Sequence, residues 1–257
     1  MLDLFLVESK RQWLLFRRYP VEAFAGVAVF TILFVGLFTG SRFLAGQGAS
    51  FGVRLDMVVA GYIIWLVTTG LFAAPGSQVT EDARTGIMEQ LFVTPHNFAV
   101  YTAMRVFSGL LQHLLLIAVV TGIIYLITGT ALDYRAVELL PFFAIILAAT
   151  GLGLLVAAYA MLVKQVGAIL MIGQFLLLAM VATPIQAYGA WGKWLAAIVP
   201  INPSAQLLQH QLATGSAGKA LDMAISAGNG LVYFALGMVA LHLAATQARR
   251  RATIGVF

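Results

Sequence analysis

The chain of 257 residues contains no cysteine, which removes disulfide frameworks, thiolate nucleophiles and Cys-ligated metals from consideration. It is also poor in charge. Only 10% of its residues are Asp, Glu, Lys or Arg and 61% are hydrophobic, against roughly 25% charged in an ordinary soluble domain. A water-soluble fold of this size cannot hide so much apolar surface, so the composition requires lipid as the solvent for most of the chain. A phosphate loop is missing as well. Gly215-Ser216-Ala217-Gly218-Lys219-Ala220 is two residues short of a Walker sequence and ends in Ala, so it cannot cradle a nucleotide. Ser108, Ser204, Ser216 and Ser226 sit in no G-x-S-x-G, and an intramembrane hydrolase is not expected. The first long apolar run starts only after Glu22, behind a charged amphipathic stretch, which is unlike a cleavable signal peptide. The net charge of +5 is what topogenic Lys and Arg give a membrane protein and implies no nucleic acid.

What the chain does have is six stretches free of Asp, Glu, Lys and Arg: 23–41, 57–80, 106–132, 139–163, 165–192 and 223–248. About 30 Å of hydrocarbon needs roughly 20 helical residues, and backbone groups in lipid must be paired within the segment, so six transmembrane helices are expected. With the N-terminus inside, Lys10, Arg11, Arg17, Arg18, Arg84, Arg105, Lys164, Arg249, Arg250 and Arg251 fall on the cytoplasmic side, and Arg42, Arg54, Arg135, Lys193 and Lys219 outside. The positive-inside rule therefore puts both termini in the cytoplasm of a multi-pass cytoplasmic-membrane protein.

Two regions depart from plain spans. Residues 1–20 place Lys10, Arg11, Arg17 and Arg18 on one helical face and Leu2, Leu6, Trp13 and Phe16 largely on the other. This is the pattern of an interfacial amphipathic helix, broken before the first span by Pro20. Residues 183–221 are apolar but punctuated by Pro184, Pro200 and Pro203, with Tyr188, Trp191, Lys193 and Trp194 between them. Aromatics beside a lysine suit a headgroup boundary, so a helix from Ile185 to about Ile198 is expected to dip into the outer leaflet and turn at 199–203. An extended fifth span followed by a loop is the alternative.

Between the second and third stretches lies an acidic island, 78–95. Ser77 or Thr80 is positioned to cap a new helix, Glu81 and Asp82 suit its first turn, and Pro95 ends it. About three turns of helix are marginal in water and need a surface to rest on. The pattern Glu81-x-x-Arg84-x-Gly86-x-x-Glu89-x-Leu91-x-x-Thr94-Pro95 closely resembles the cytoplasmic loop of ABC-2 type transport permeases, whose members commonly read Glu-Arg-Glu-x-Gly-Thr-x-Glu-x-Leu-x-x-Thr-Pro there. The turn Val199-Pro200-Ile201-Asn202-Pro203 is similar to that family's outer proline-asparagine-proline turn. Asp82-Ala83 and Ser204-Ala205 depart from the family's pattern.

The resemblance implies a single all-α permease domain over 1–257: an interfacial helix, six spans, a coupling helix at 78–95 that docks on an ATP-binding cassette subunit, and a re-entrant helix pair at 183–221. It further implies an exporter of two permease copies and two ATP-binding subunits, with ATP and Mg on those subunits and no cofactor or metal in this chain. Glu81, Arg84, Gly86, Glu89, Leu91, Thr94 and Pro95 are the expected docking residues, with Leu91 for the groove and Gly86 for close approach. Pro200, Asn202 and Pro203 are the expected outer gate turn. The acid-free spans agree with a borrowed motor, because proton and sodium relays usually need intramembrane carboxylates. A channel or secondary carrier is the rival, and a docking scaffold a third reading. His113 and His242 lie within spans without a partner ligand at i, i+4 and are expected to hydrogen-bond across helices. Gly36 and Gly40 form a G-x-x-x-G suited to a helix contact. The uncharged spans lean towards an amphipathic, lipid-linked or drug-like cargo.

Overall fold

A computed structural model describes residues 2–45, 52–93, 97–129, 135–163 and 165–251. Among them every regular element is helical, in the order α1 (Leu2–Arg18), α2 (Pro20–Ala45), α3 (Gly52–Arg84), α4 (Ile87–Val93), α5 (Phe98–Thr128), α6 (Leu139–Val163), α7 (Gly167–Ala182), α8 (Gly189–Ile198), α9 (Asn202–Thr214) and α10 (Ala220–Arg251). Short 3-10 turns precede α6 and α8. Pro20 separates α1 from α2 by opening the second helix, a position where its fixed φ and missing N–H cost nothing.

Five of these helices, α2, α3, α5, α6 and α10, are long and apolar enough to cross a membrane. The expected span at 165–192 is not one continuous helix. α7 has 16 residues, about 24 Å at 1.5 Å per residue, and stops at Ala182 because Pro184 follows Thr183. The extended fifth span is thereby excluded, and α8 and α9 form a separate helix pair.

α6 is the central helix, packed between α3 and α10. Glycine makes this possible: a Cβ at Gly151 would run into the Tyr233 carbonyl of α10, and one at Gly237 into the Gly151 carbonyl. On the other face a Cβ at Gly153 would meet the Leu71 and Phe72 carbonyls of α3. Pro75 has no N–H to give the Leu71 carbonyl, so α6 backs directly onto the weakened turn of α3. α2 is held by aromatic side chains instead, with Phe34 packed on Tyr62 at 5.1 Å between ring centroids and the Tyr62 hydroxyl donating to the Phe30 carbonyl at 2.5 Å. The outer faces carry Phe24, Ile32 and Leu37 on α2, Ile172 and Phe175 on α7, and Leu236 and Leu243 on α10, all exposed, as lipid-facing or copy-facing helices require. Among the described residues nothing lies within 4 Å of a Cβ built at Gly36 or Gly40, which leaves this glycine pair open on that side.

Candidate functional site

The acidic island does not start a new helix. α3 continues through Ser77 and Thr80 to Arg84, so neither residue is an N-cap. Their hydroxyls instead donate back to the Ala73 and Gly76 carbonyls. Helix α3 ends where the Thr85 N–H bonds the Glu81 carbonyl and Gly86 takes a φ of +72°. A Cβ there would meet no neighbour. Gly86 therefore turns the chain through the left-handed region. After this turn comes α4, only seven residues long. The island is an elbow: the last turn of a span, a glycine corner and a short helix.

One side of the elbow is presented outward. Glu81, Arg84, Gly86, Ile87, Glu89 and Gln90 are exposed, while Asp82, Ala83 and Met88 are buried. Leu91 is half-buried and packs against the protein's own core, and Ile87 is the large apolar side chain on the outer side, 41% exposed. Thr94 and Pro95 lie outside the described residues.

The inner side is fixed to three other helices. Asp82 Oδ2 lies 2.5 Å from Arg105 Nη1 on α5, and Glu8 Oε1 on α1 lies 3.4 Å from Arg105 Nε. The first is a hydrogen-bonded ion pair. The second is an ion contact without aligned hydrogen-bond geometry, since Arg105 Nε has no hydrogen-bond partner among the described residues. Glu8, Asp82 and Arg105 are 6%, 4% and 8% exposed, which places the cluster among buried ion pairs, where losing one partner costs about 3–5 kcal/mol. Arg11 and Gln12 complete the Glu8 environment at 3.6 and 3.4 Å. Further along, Phe92 stacks on Phe98 at 5.1 Å, and the Arg249 guanidinium of α10 lies 4.9 Å from the Phe92 ring. Asn97 caps α5 by accepting from the Ala99 N–H, and its amide meets His242 Nδ1 of α10 at 3.1 Å. His242 thus makes the cross-helix bond expected of it, and the His113 ring lies against the α3 backbone within reach of the Leu66 and Val67 carbonyls, its Nε2 without a well-aligned partner among the described residues. These contacts join the elbow to α1, α5 and α10.

The turn between α8 and α9 is equally well pinned. Ile201 has a φ of +68°, a left-handed conformation that costs a β-branched residue of order 1–3 kcal/mol. Its N–H donates to Asn229 Oδ1 of α10 at 3.2 Å, and the Asn229 amide donates to the Ala197 and Val199 carbonyls. Asn202 is fully buried and its amide donates to the Met180 and Thr183 carbonyls of the α7 end at 2.6 and 3.1 Å. Pro203 is buried in the first turn of α9, and Pro200 precedes the strained residue. The Ser226 hydroxyl donates to that of Ser204 at 2.7 Å, tying α9 to α10. This turn joins the ends of α7, α8 and α9 to the side of α10. Along the C-terminal half of α9, away from the turn, α3, α6 and α9 line a partly open cavity of about 220 Å³ with almost wholly apolar walls, including Ile63, Phe142 and Leu208, and with Arg135 and Glu138 among its residues.

Glu8, Arg105, Arg249 and Asn229 were not singled out by sequence reasoning. Signals existed for three of them: Glu8 is an acid directly before the basic run of α1, Asn229 is an amide in an apolar span, and Arg105 opens the third span. Sequence reasoning also passed over one G-x-S-x-G, Gly48-Ala49-Ser50-Phe51-Gly52. Its described flanks are helices α2 and α3, whereas a nucleophile elbow follows a strand; residues 46–51 lie outside the described ones. Among the described residues no group of three His, Asp or Glu side chains is placed to hold a metal.

No curated protein matches the chain. Residues 3–212, which include the elbow, the buried ion cluster and the α8–α9 turn, match the family described as ABC-2 type transporter, and the chain belongs to that family as a multi-pass membrane permease component of ABC transporters.

Proposed function

We propose that the chain is the membrane subunit of an ATP-driven exporter of the cytoplasmic membrane, working as two permease copies with two ATP-binding subunits, which carry the ATP and Mg. The observation that carries this reading is the elbow: an exposed face of Glu81, Arg84, Ile87 and Glu89 on a root bolted to α1, α5 and α10. Exposed charges steer a partner, and Ile87 takes the groove position first assigned to Leu91. Gly86 sets the angle at which α4 is presented, and Thr94-Pro95 closes the island in sequence. Both termini face the cytoplasm on the positive-inside count. A push on α4 then reaches α5 through Asp82–Arg105 and α10 through Phe92–Arg249, and tilts the spans of one copy against the other. α2, with Gly36 and Gly40 open, is the favoured contact between copies. α8 and α9 form the re-entrant pair, with Pro200, Asn202 and Pro203 as the outer gate turn. The apolar cavity between α3, α6 and the C-terminal half of α9 supports an amphipathic, lipid-linked or drug-like cargo.

The test is a mild-detergent pull-down of the tagged chain from its native host, with mass spectrometry and an ATPase assay on the eluate. The expected result is a Walker-motif protein whose association, with transport, is lost in Arg84→Ala/Glu89→Ala while membrane insertion persists. An eluate without ATPase, from a chain that moves solute in liposomes alone, would transfer the reading to a channel or secondary carrier.

A further inference from the structure

Helix α1 is anchored on one face and open on the other. Its inner face lies on α5: Glu8 faces Arg105 at 3.4 Å, the Ser108 hydroxyl donates to the Phe5 carbonyl at 3.5 Å, and Gln12 lies 3.9 Å from a Cβ built at Gly109. Glu8 is buried there, so its carboxylate is turned away from the surroundings. Opposite this face run Leu6, Lys10, Trp13 and Arg17, at the i, i+4, i+7, i+11 spacing of a single helical stripe. All four are exposed, as are Arg11, Leu14 and Arg18 beside them. The Arg17 guanidinium sits 6.0 Å from the Trp13 ring centroid.

The stripe has a fixed depth and a fixed sign. Pro20 leads α1 directly into α2, whose membrane-length window opens at Ala23. Arg17 and Arg18 are therefore within about 9 Å of the hydrocarbon as helical rise is counted. Residues 9–22 carry Lys10, Arg11, Arg17 and Arg18 against Glu22 alone, and Arg11 leans back on Glu8 at 3.6 Å. Apolar and basic side chains alternating along one stripe suit neither bulk water nor hydrocarbon. Leu6 and Trp13 need the acyl boundary, while Lys10 and Arg17 extend from the same depth to the headgroups. A cluster of Lys and Arg on such a helix is drawn to anionic lipid, and each cation near that surface is worth about fivefold in affinity.

We infer that the outward stripe of α1 is a binding surface for anionic phospholipid, which holds the helix from the side opposite the ion cluster. The lipid phosphates accept from Lys10, Arg17 and Arg18, and Leu6 and Trp13 enter the acyl boundary between them. Glu8 on the far side then keeps its place over Arg105, and Arg105 holds Asp82 at the root of the elbow. Anionic lipid thereby sets how firmly the elbow is seated.

The experiment is hydrogen exchange of the full chain in nanodiscs, comparing phosphatidylcholine alone with equal parts of phosphatidylcholine and phosphatidylglycerol. Nanodiscs expose both leaflets, so the result depends neither on the orientation of the chain nor on a partner subunit. In wild type, phosphatidylglycerol is expected to slow exchange over residues 9–18 at least tenfold, and 1 M salt to remove the difference. Lys10→Gln/Arg17→Gln/Arg18→Gln should show no lipid dependence, with unchanged exchange over α3 to α6 as the sign of an intact fold. Lys193→Gln/Lys219→Gln, which removes two exposed cations elsewhere, should behave as wild type does. No effect of phosphatidylglycerol on wild type overturns the inference. An effect that survives the triple substitution, or one lost equally with Lys193 and Lys219, overturns it too.

Discussion

Arg105→Ala removes the cation held between two carboxylates that are each less than a tenth exposed. Asp82 and Glu8 would then share a buried site without compensation, at a cost of about 3–5 kcal/mol. Glu8→Gln is milder, since the 2.5 Å pair with Asp82 survives and only the 3.4 Å contact is lost, which puts it nearer 1–2 kcal/mol. With roughly 2–4 °C of Tm per kcal/mol for a chain of this size, Arg105→Ala should melt roughly 6–20 °C below wild type. The assay is thermal unfolding of detergent-purified protein, at low salt and at 1 M salt. Screening barely reaches a buried cluster, so the deficit should persist at both. The triple variant Glu8→Leu/Asp82→Leu/Arg105→Met should recover most of the stability, because an apolar replacement leaves no uncompensated charge. A Tm for Arg105→Ala within a degree or two of that for Arg84→Ala, an exposed position expected to change stability by no more than about 0.5 kcal/mol, would refute the reasoning.

Gly86→Ala meets no steric obstacle, so its cost is the left-handed φ alone, about 1 kcal/mol; a near-normal Tm with impaired ATPase-coupled transport is the expected pair of readings. Gly151→Val forces side-chain atoms into the Tyr233 backbone and should abolish folded protein in size-exclusion profiles, whereas Gly36→Val leaves the monomer fold intact and weakens association of copies. Asn229→Leu strands the Ile201 N–H and two carbonyls, each worth about 1–3 kcal/mol; protease sensitivity at 199–203 should rise while α3 to α6 stay protected.

Lipid-crossing helices were legible because charge-free length is a direct demand of the hydrocarbon, and five of the six expected stretches became such helices. The stretch at 165–192 failed for a local reason: hydropathy continued through Thr183-Pro184, but the backbone could not. The elbow's outward charges could be read from its pattern, yet Ser77 and Thr80 were misread as caps. Such hydroxyls serve equally well inside a helix by bonding the preceding turn, and Arg105 of α5 holds the α3 end at Asp82. That Leu91 packs inward and Ile87 faces out could not be read from the pattern, because a seven-residue helix chooses its inner face by what lies beneath it, here the Phe92–Phe98 stack, and that is tertiary information. The ion cluster joins residues 8, 82 and 105, and no spacing rule connects them. The proline-asparagine-proline turn was visible, but not its clamp, since Asn229 sits 28 residues away from Ile201.

The central claim is that the exposed face of the elbow meets an ATP-binding subunit. A photo-crosslinking amino acid at Ile87, activated in native membranes and followed by mass spectrometry, tests this most directly. The account predicts a crosslink to a protein with a G-x-x-x-x-G-K-[ST] sequence, weakened by Arg84→Ala/Glu89→Ala and missing when the probe is moved to lipid-facing Leu126. An Ile87 probe that captures only lipid, in a chain that still transports, would contradict it.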